Sequence, residues 1–151
     1  DKGDGAGPVT EADLAVNAHL ERLLRRARPD YGWLSEESAD DPARLQAEHC
    51  FIIDPIDGTR AFIDGQVGFS HALAITRGDR VVAGVVHLPA QRTTYAASAD
   101  GPALRDGKPI APSAQGLRGR SSAPTSWVCS TAASACSSAW RAVCWSWVRS
   151  T

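Results

Sequence analysis

The feature that most constrains the fold is a short apolar run, His49 to Ile53, that leads directly into the motif DPIDGT, Asp54 to Thr59. A compact apolar run bounded by turn residues predicts a buried strand. Asp54 then lies at the end of this strand, and we expect Pro55 to turn the chain so that Asp57 comes back toward Asp54. Because two close carboxylates repel each other, this arrangement predicts a hard divalent cation between them, Mg²⁺ or Mn²⁺ rather than Zn²⁺.

The residues after the two aspartates predict an anion site beside the metal. Gly58 and Thr59 open a short helix that runs through Phe62. Backbone amides at such a start suit a phosphate oxygen, and Gly58 has no Cβ to obstruct it. Taken alone, the motif also fits an acidic turn that simply ends a strand.

Two further acidic positions favour the interpretation as a site. Asp13 opens a predicted helix, and Glu36-Glu37 ends a predicted extended segment. Separately, Asp13 fits a helix cap and the glutamate pair fits a solvated loop. Together with the DPIDGT motif they put carboxylates at the ends of three separate elements, which is the pattern expected of a shared cation site.

The residues from Thr10 to Pro29 have the pattern of one long helix. Thr10 and Asp13 match the spacing of a capping box, and apolar residues then recur at helical spacing. Arg28-Pro29 stops the helix, because the residue before a proline is pushed out of helical geometry. The predicted helix is Glu11–Ala27.

The remaining pattern predicts a meander of strands. Segments rich in apolar and β-branched residues predict extended chain over Tyr31–Leu34, Phe69–Thr76, Val81–Leu88 and Thr93–Ala97. The connection Arg77–Arg80 contains a glycine and predicts a hairpin. Turns are predicted at Asp100-Gly101 and Asp106-Gly107, and a polar loop is predicted over Ser38–Arg44. The fold class is therefore mixed α and β.

Composition limits the classes of partner. With 16 Lys and Arg against 17 Asp and Glu, the chain has no overall charge that favours nucleic acid, and no apolar run is long enough to span a membrane. The start of the chain is acidic and lacks the apolar core of a secretory signal, which predicts a cytoplasmic protein. Cys50 lies in an apolar strand, so we expect a buried, reduced thiol and neither disulfides nor zinc.

The composition changes at about residue 116. All acidic residues lie at or before Asp106, whereas four of the five Trp lie at or after Trp127. The segment 116–151 matches neither an ordinary disordered tail nor an ordinary folded surface. We therefore expect a domain over residues 1–115 and an atypical segment over 116–151. A shifted reading frame is our hypothesis for that segment, a genuine C-terminal segment is the alternative, and the nucleotide sequence distinguishes them.

Three motifs resemble, in order and approximate spacing, those of the inositol monophosphatase family of lithium-sensitive phosphatases. They are VTEAD at Val9–Asp13, WLSEES at Trp33–Ser38 and DPIDGTRAFIDG at Asp54–Gly65. The resemblance continues through GVVHLPA, Gly84–Ala90, and covers roughly residues 1–115. It implies an α/β fold of the layered sugar-phosphatase type, of which we expect this chain to hold only the N-terminal half, without the family's first helix.

The resemblance also implies roles for individual residues. In the family pattern the ligands of Mg²⁺ would be Glu36, Asp54, the Ile56 carbonyl and Asp57. Asp13 and Thr59 would position the attacking water, and together with Glu36 they would form the catalytic set. The backbone amides of Gly58 and Thr59 would hold phosphate. Glu37 is the less favoured ligand of its pair. The implied reaction is hydrolysis of a small phosphate monoester. The partner is then a small molecule, neither a nucleic acid polymer nor a membrane, and a homodimer of the complete protein is left open.

Substrate and activity stay open at this point. Arg60-Ala61-Phe62 resembles the 3'(2'),5'-bisphosphate nucleotidase branch more than the inositol branch, and inositol 1-phosphate is the alternative substrate. A non-catalytic remnant is another alternative, because no Asp follows Asp106 and the family's last metal ligand is an Asp in a later Trp-Asp motif. A haloacid dehalogenase site is excluded because Pro55 stands where its nucleophilic Asp would be. An EF-hand loop is excluded because the alternating ligands and the final Glu are missing.

Overall fold

The structure, a computed structural model, describes residues 9–111 of the chain. Two helices and seven strands follow one another as α1 Glu11–Ala27, β1 Gly32–Ser35, β2 His49–Asp57, α2 Thr59–Ile63, β3 Ser70–Arg77, β4 Arg80–Leu88, β5 Thr93–Ser98, β6 Leu104–Arg105 and β7 Lys108–Pro109. Short 3₁₀ turns occupy Pro42–Gln46 and Pro89–Gln91. The segment 116–151, and with it the hypothesis of a shifted reading frame, lies outside the described residues.

All seven strands form one sheet in chain order, from β1 to β7. The first pair, β1 and β2, is parallel, and every later pair is antiparallel. Antiparallel neighbours need only short connections, which is why strands that follow one another in sequence also lie side by side. The predicted mixed α and β class and the predicted meander are both confirmed.

The long helix α1 begins and ends as its caps predict. The Thr10 hydroxyl accepts a hydrogen bond from the Asp13 amide at 3.3 Å, and the Asp13 carboxylate accepts one from the Thr10 amide at 2.9 Å. This reciprocal capping box satisfies amides that the first turn of a helix leaves without partners. The apolar face of α1 then packs on the core formed by Trp33, Phe51 and Ile53.

The hairpins also follow from the turn residues. Arg77 pairs with Arg80, so Gly78 and Asp79 form a two-residue loop in which Gly78 has a positive φ of 58°. Asp106 and Gly107 join β6 to β7 with φ values of 51° and 76°. A positive φ at the first central position, as at Gly78, or at both central positions, as at Asp106 and Gly107, is typical of the turns that match the twist of a hairpin.

Several boundaries differ from the prediction, most of them by one residue. The extended segment before the glutamate pair is Gly32–Ser35, one residue later than expected. The predicted polar loop, Ser38–Arg44, contains the start of a short 3₁₀ turn, Pro42–Gln46. Asp41 caps the turn by accepting a hydrogen bond from the Ala43 amide at 2.9 Å, and proline at the first position of a helical turn forgoes no hydrogen bond.

The strand that carries the aspartates is longer than expected, and Pro55 does not turn the chain. Strand β2 continues to Asp57, with Asp54 opposite Ala72 and Asp57 opposite Ser70. Three steps along β2 therefore match two steps along β3, which is a β-bulge. A proline is tolerated there because a bulge leaves one residue outside the regular hydrogen-bond ladder.

The two faces of the sheet differ in what covers them. On one face Phe51 and Ile53 pack beneath α1 with Trp33. On the other, Ala72 and Ala74 form a smaller buried cluster with Ile52 and two valines of β4.

Neither helix in residues 9–111 combines the length and the apolar character required to cross a bilayer.

Candidate active site

The bulge in β2 sets the relation between the two aspartates. In a regular strand residues three apart point to opposite faces of the sheet. The extra residue of the bulge removes this mismatch, because Asp54 and Asp57 lie opposite Ala72 and Ser70, which share one face of β3. Both aspartates are buried, with 4% and 6% of their surface exposed. The prediction that the two carboxylates lie close together therefore depends on the bulge and not on a proline turn.

A contact between Asp13 and Thr59 joins the first motif to the third. The Thr59 hydroxyl lies 3.0 Å from the Ile56 carbonyl oxygen and 3.4 Å from Asp13 Oδ1. A hydroxyl has one hydrogen to donate, and the shorter distance assigns it to the Ile56 carbonyl. Asp13 is 1% exposed, and its other oxygen, Oδ2, accepts hydrogen bonds from Thr10. This contact therefore brings the start of α1 and the start of α2 together, through two residues that are 46 positions apart in the sequence.

The glutamate pair lies beside the aspartates because β1 and β2 are parallel. Ser35 is paired with Ile53, and the Glu36 amide donates to the Ile53 carbonyl at 3.2 Å. Glu36 thus follows β1 at the same edge of the sheet where Asp54 follows the apolar part of β2. Glu36 is exposed and Glu37 is half-buried.

Gly58 forms the corner between β2 and α2. It has φ 86° and ψ 37°, the left-handed conformation that glycine adopts most readily, and it caps the predicted short helix, which is confirmed as Thr59–Ile63. A Cβ at this position would lie 2.8 Å from the carbonyl oxygen of Gly68. The loop that returns to β3 therefore packs directly against the corner, and Phe62 and Phe69 meet edge to face beside it.

A buried asparagine that the sequence analysis did not single out links α1 to the glutamate segment. Asn17 Nδ2 donates to Ser38 Oγ at 2.9 Å, and Ser35 Oγ donates to Asn17 Oδ1 at 2.6 Å. The sequence signal that could have found it is its position one turn after Asp13, which puts both polar side chains on the same face of a helix that packs on the sheet.

His71 makes a second contact that sequence spacing could not predict. Its Nδ1 is hydrogen-bonded to the carbonyl oxygen of Pro55, the residue inside the bulge. A carbonyl oxygen only accepts, so Nδ1 carries the proton in this pair. The ring stacks against His87 across β3 and β4, with 6.1 Å between centroids. No three of the His, Cys, Asp and Glu side chains in residues 9–111 form a group that could hold a metal ion.

The absence of such a ligand group in residues 9–111 also concerns the predicted Mg²⁺ site. Glu36, Asp54, Asp57 and the Ile56 carbonyl offer hard oxygen donors, the type that Mg²⁺ prefers. Their elements meet at one edge of the sheet, yet a cage of three carboxylate or other ligating side chains is not preformed in the described part of the chain. The donor set fits the ion by its chemistry, and its convergence on one ion stays a prediction.

Comparison with known proteins identifies the family. The sequence model of the inositol monophosphatase family matches residues 1–141 of the chain. The chain belongs to this family. The match includes most of the segment after residue 115 that differs in composition, as well as the three motifs around the candidate site.

The curated relatives of this family member include proteins named for two different phosphatase activities. The 3'(2'),5'-bisphosphate nucleotidase CysQ of Haemophilus influenzae is 38% identical over 95 residues, which is 62% of this chain and 35% of the relative. An inositol-1-monophosphatase of Mesorhizobium japonicum is 34% identical over 96 residues, 64% of this chain and 36% of the relative. The chain thus spans little more than a third of the length of these curated relatives.

Solved structures agree on the fold. The extragenic suppressor protein suhB of Bartonella henselae superposes with a TM-score of 0.68 at 31% identity, over 72% of this chain and 43% of that one. The IMPase of Thermotoga maritima gives the same TM-score at 33% identity, over 75% and 43% of the two chains. The family member described here therefore has the inositol monophosphatase fold over its described residues.

Proposed function

We propose that this family member carries the metal and phosphate site of a Mg²⁺-dependent phosphatase that hydrolyses a small phosphate ester. The observation that supports it most is the contact between Thr59 and Asp13, which brings the VTEAD and DPIDGT motifs to one place. Asp13, Asp54 and Asp57 are also buried, with 1%, 4% and 6% of their surface exposed, which agrees with carboxylates held in an enclosed site.

Each proposed metal ligand is an oxygen at the edge where β1 and β2 end. The proposed set is Glu36, Asp54, the Ile56 carbonyl and Asp57. A bound Mg²⁺ would lower the pKa of a coordinated water and neutralise charge on the phosphoryl group. The bulge supports this assignment, because it gives Asp54 and Asp57 partners on one face of β3.

Asp13 and Thr59 are proposed to hold the attacking water. The Thr59 hydroxyl donates its hydrogen to the Ile56 carbonyl, so its lone pairs can accept a hydrogen bond from water. Asp13 Oδ1 lies next to it and can accept the second hydrogen, while Oδ2 is held by Thr10. Water between these two acceptors would give one proton to Asp13 as its oxygen bonds to phosphorus. The bond from phosphorus to the leaving oxygen would break, that oxygen would take up a proton from solvent, and Asp13 would then release its own.

Gly58 and Thr59 are proposed to bind the phosphate through their backbone amides. The left-handed corner at Gly58 begins α2 without a side chain that could block an anion. The phosphate would then lie between these amides and the metal ligands.

A 3'(2'),5'-bisphosphate nucleotide is our proposed substrate, and inositol 1-phosphate is the second candidate. Arg60 is exposed directly after Thr59, and a cation beside a phosphate site favours a substrate with a second phosphate. Relatives named for the two activities match this chain at similar identity, 38% and 34%. Our preference for the bisphosphate nucleotide over inositol 1-phosphate therefore depends on Arg60. We further propose that the protein acts in the cytoplasm. Its balanced charge agrees with a small-molecule substrate, because it does not favour a nucleic acid polymer as partner.

Phosphate release by the 151-residue chain tests the proposal. Release from 3'-phosphoadenosine 5'-phosphate and from inositol 1-phosphate is measured with and without Mg²⁺, for the unmodified chain and for Asp57→Asn and Asp64→Asn. Asp64 follows α2 and is exposed, so it serves as the matched control. We expect Mg²⁺-dependent release that falls about 100-fold or more in Asp57→Asn, the effect of losing one electrostatic stabiliser, and is unchanged in Asp64→Asn.

Two results would contradict the proposal. Equal activity of both variants would remove Asp57 from the site. No Mg²⁺-dependent release from the unmodified chain would favour the alternative that it is a non-catalytic remnant.

A further inference from the structure

Asn17 is a buried polar side chain that no step of the proposed reaction uses. It is 7% exposed and lies four residues after Asp13 on α1. The rest of the apolar face of α1 carries leucines that pack on the core, so an amide at this position needs polar partners.

Both functional groups of Asn17 are engaged by the segment that follows β1. Its Nδ2 donates to Ser38 Oγ at 2.9 Å, and its Oδ1 accepts from Ser35 Oγ at 2.6 Å. Ser35 Oγ in turn accepts from the Glu37 amide at 3.2 Å. The two serines stand on either side of Glu36-Glu37, so one amide connects both ends of the glutamate segment to the helix.

We propose that Asn17 is a positioning residue for Glu36: it fixes the Ser35–Ser38 segment against α1 and so sets the place of the carboxylate in the metal site. This inference rests on the proposed function, since Glu36 is a ligand only there. Without the amide, the buried Ser35 hydroxyl loses its acceptor and Ser38 loses a donor, so the segment loses these two hydrogen bonds to α1 and is held less firmly against the helix. Because Asp13 lies on the same helix, Asn17 also couples the water-holding residue to the metal-ligand segment.

Mn²⁺ binding to the full chain tests this role, with free Mn²⁺ measured by electron paramagnetic resonance at a temperature where all variants are folded. Asn17→Ala is compared with Leu24→Ala, which removes packing against the core from the same helix and serves as a control for lost stability. We expect Asn17→Ala to weaken Mn²⁺ binding about tenfold, as for other residues that orient a metal ligand, and Leu24→Ala to change it by less than about twofold.

A second pair of variants asks whether Asn17 acts through Glu36. In the Glu36→Gln background the ligand is already lost, so adding Asn17→Ala should have no further effect on Mn²⁺ binding. If Asn17→Ala still weakened Mn²⁺ binding about tenfold in the Glu36→Gln background, the inference would be overturned. Equal effects of Asn17→Ala and Leu24→Ala on Mn²⁺ binding would overturn it as well.

The outcomes also separate this inference from the proposed function. If the unmodified chain binds Mn²⁺ and Glu36→Gln weakens binding while Asn17→Ala does not, only the role of Asn17 is wrong. If the unmodified chain binds no Mn²⁺, the proposed metal site is wrong and the role of Asn17 falls with it.

Discussion

Replacing Gly58 with alanine should destabilise the protein through two separate effects at the corner between β2 and α2. The first is conformational: Gly58 has φ 86°, and the left-handed conformation costs a residue with a Cβ about 1–2 kcal/mol. The second is steric, because the new Cβ would lie 2.8 Å from the Gly68 carbonyl oxygen. That oxygen belongs to the backbone, so relief requires the loop before β3 to move, at about 1–3 kcal/mol for an overpacked contact.

Gly78 is the matched control for this substitution. It also has a positive φ, 58°, but no heavy atom lies within 4 Å of the Cβ position. Gly78→Ala should therefore show only the conformational effect. The difference between the two variants isolates the contact between the corner and the returning loop.

Thermal unfolding followed by circular dichroism measures both effects. At about 4 °C per kcal/mol for a domain of this size, we expect Gly78→Ala to lower Tm by about 4–8 °C and Gly58→Ala by about 8–20 °C. Equal losses in the two variants would refute the reasoning, because they would show that the loop does not press on Gly58.

Three further predictions follow from individual contacts. Thr10→Ala removes the reciprocal cap of α1 and should lower the free energy of unfolding in urea by about 1 kcal/mol; an unchanged value would show that the cap contributes nothing. Burial raises the pKa of the Cys50 thiol, so less thiolate is present at a given pH. Alkylation of Cys50 by iodoacetamide at about pH 8, measured by peptide mapping, should be slower in the folded chain than in urea and should rise with pH; equal rates would contradict this. Arg60→Ala should raise KM for the bisphosphate nucleotide about tenfold and leave that for inositol 1-phosphate nearly unchanged; equal changes would remove Arg60 as a specificity residue.

Local signals predicted the parts of the fold that local chemistry determines. The Thr10 cap and the Arg28-Pro29 stop gave both ends of α1, and Gly78 gave the loop of the central hairpin. Each of these depends on the conformational preference of one or two residues, which a sequence displays directly.

The parts that sequence did not predict depend on partners far along the chain. Whether Pro55 turns the chain or sits in a bulge is decided by the register against β3, and that register has no local signature. Asn17 and His71 contact residues 16 to 21 positions away, so their roles emerged only from the packing of α1 and β3 on β2. The acidic residues of the site were predicted from their pattern, and the resemblance implied a role for each. The structure supplied the contact between Asp13 and Thr59 that joins two of the motifs.

The measurement that tests the metal site most directly is anomalous X-ray diffraction at the manganese edge from crystals soaked in Mn²⁺. We predict a peak bounded by the carboxylates of Glu36, Asp54 and Asp57 and by the Ile56 carbonyl oxygen. A peak only elsewhere, or none at saturating Mn²⁺, would contradict a shared cation site at the ends of β1 and β2.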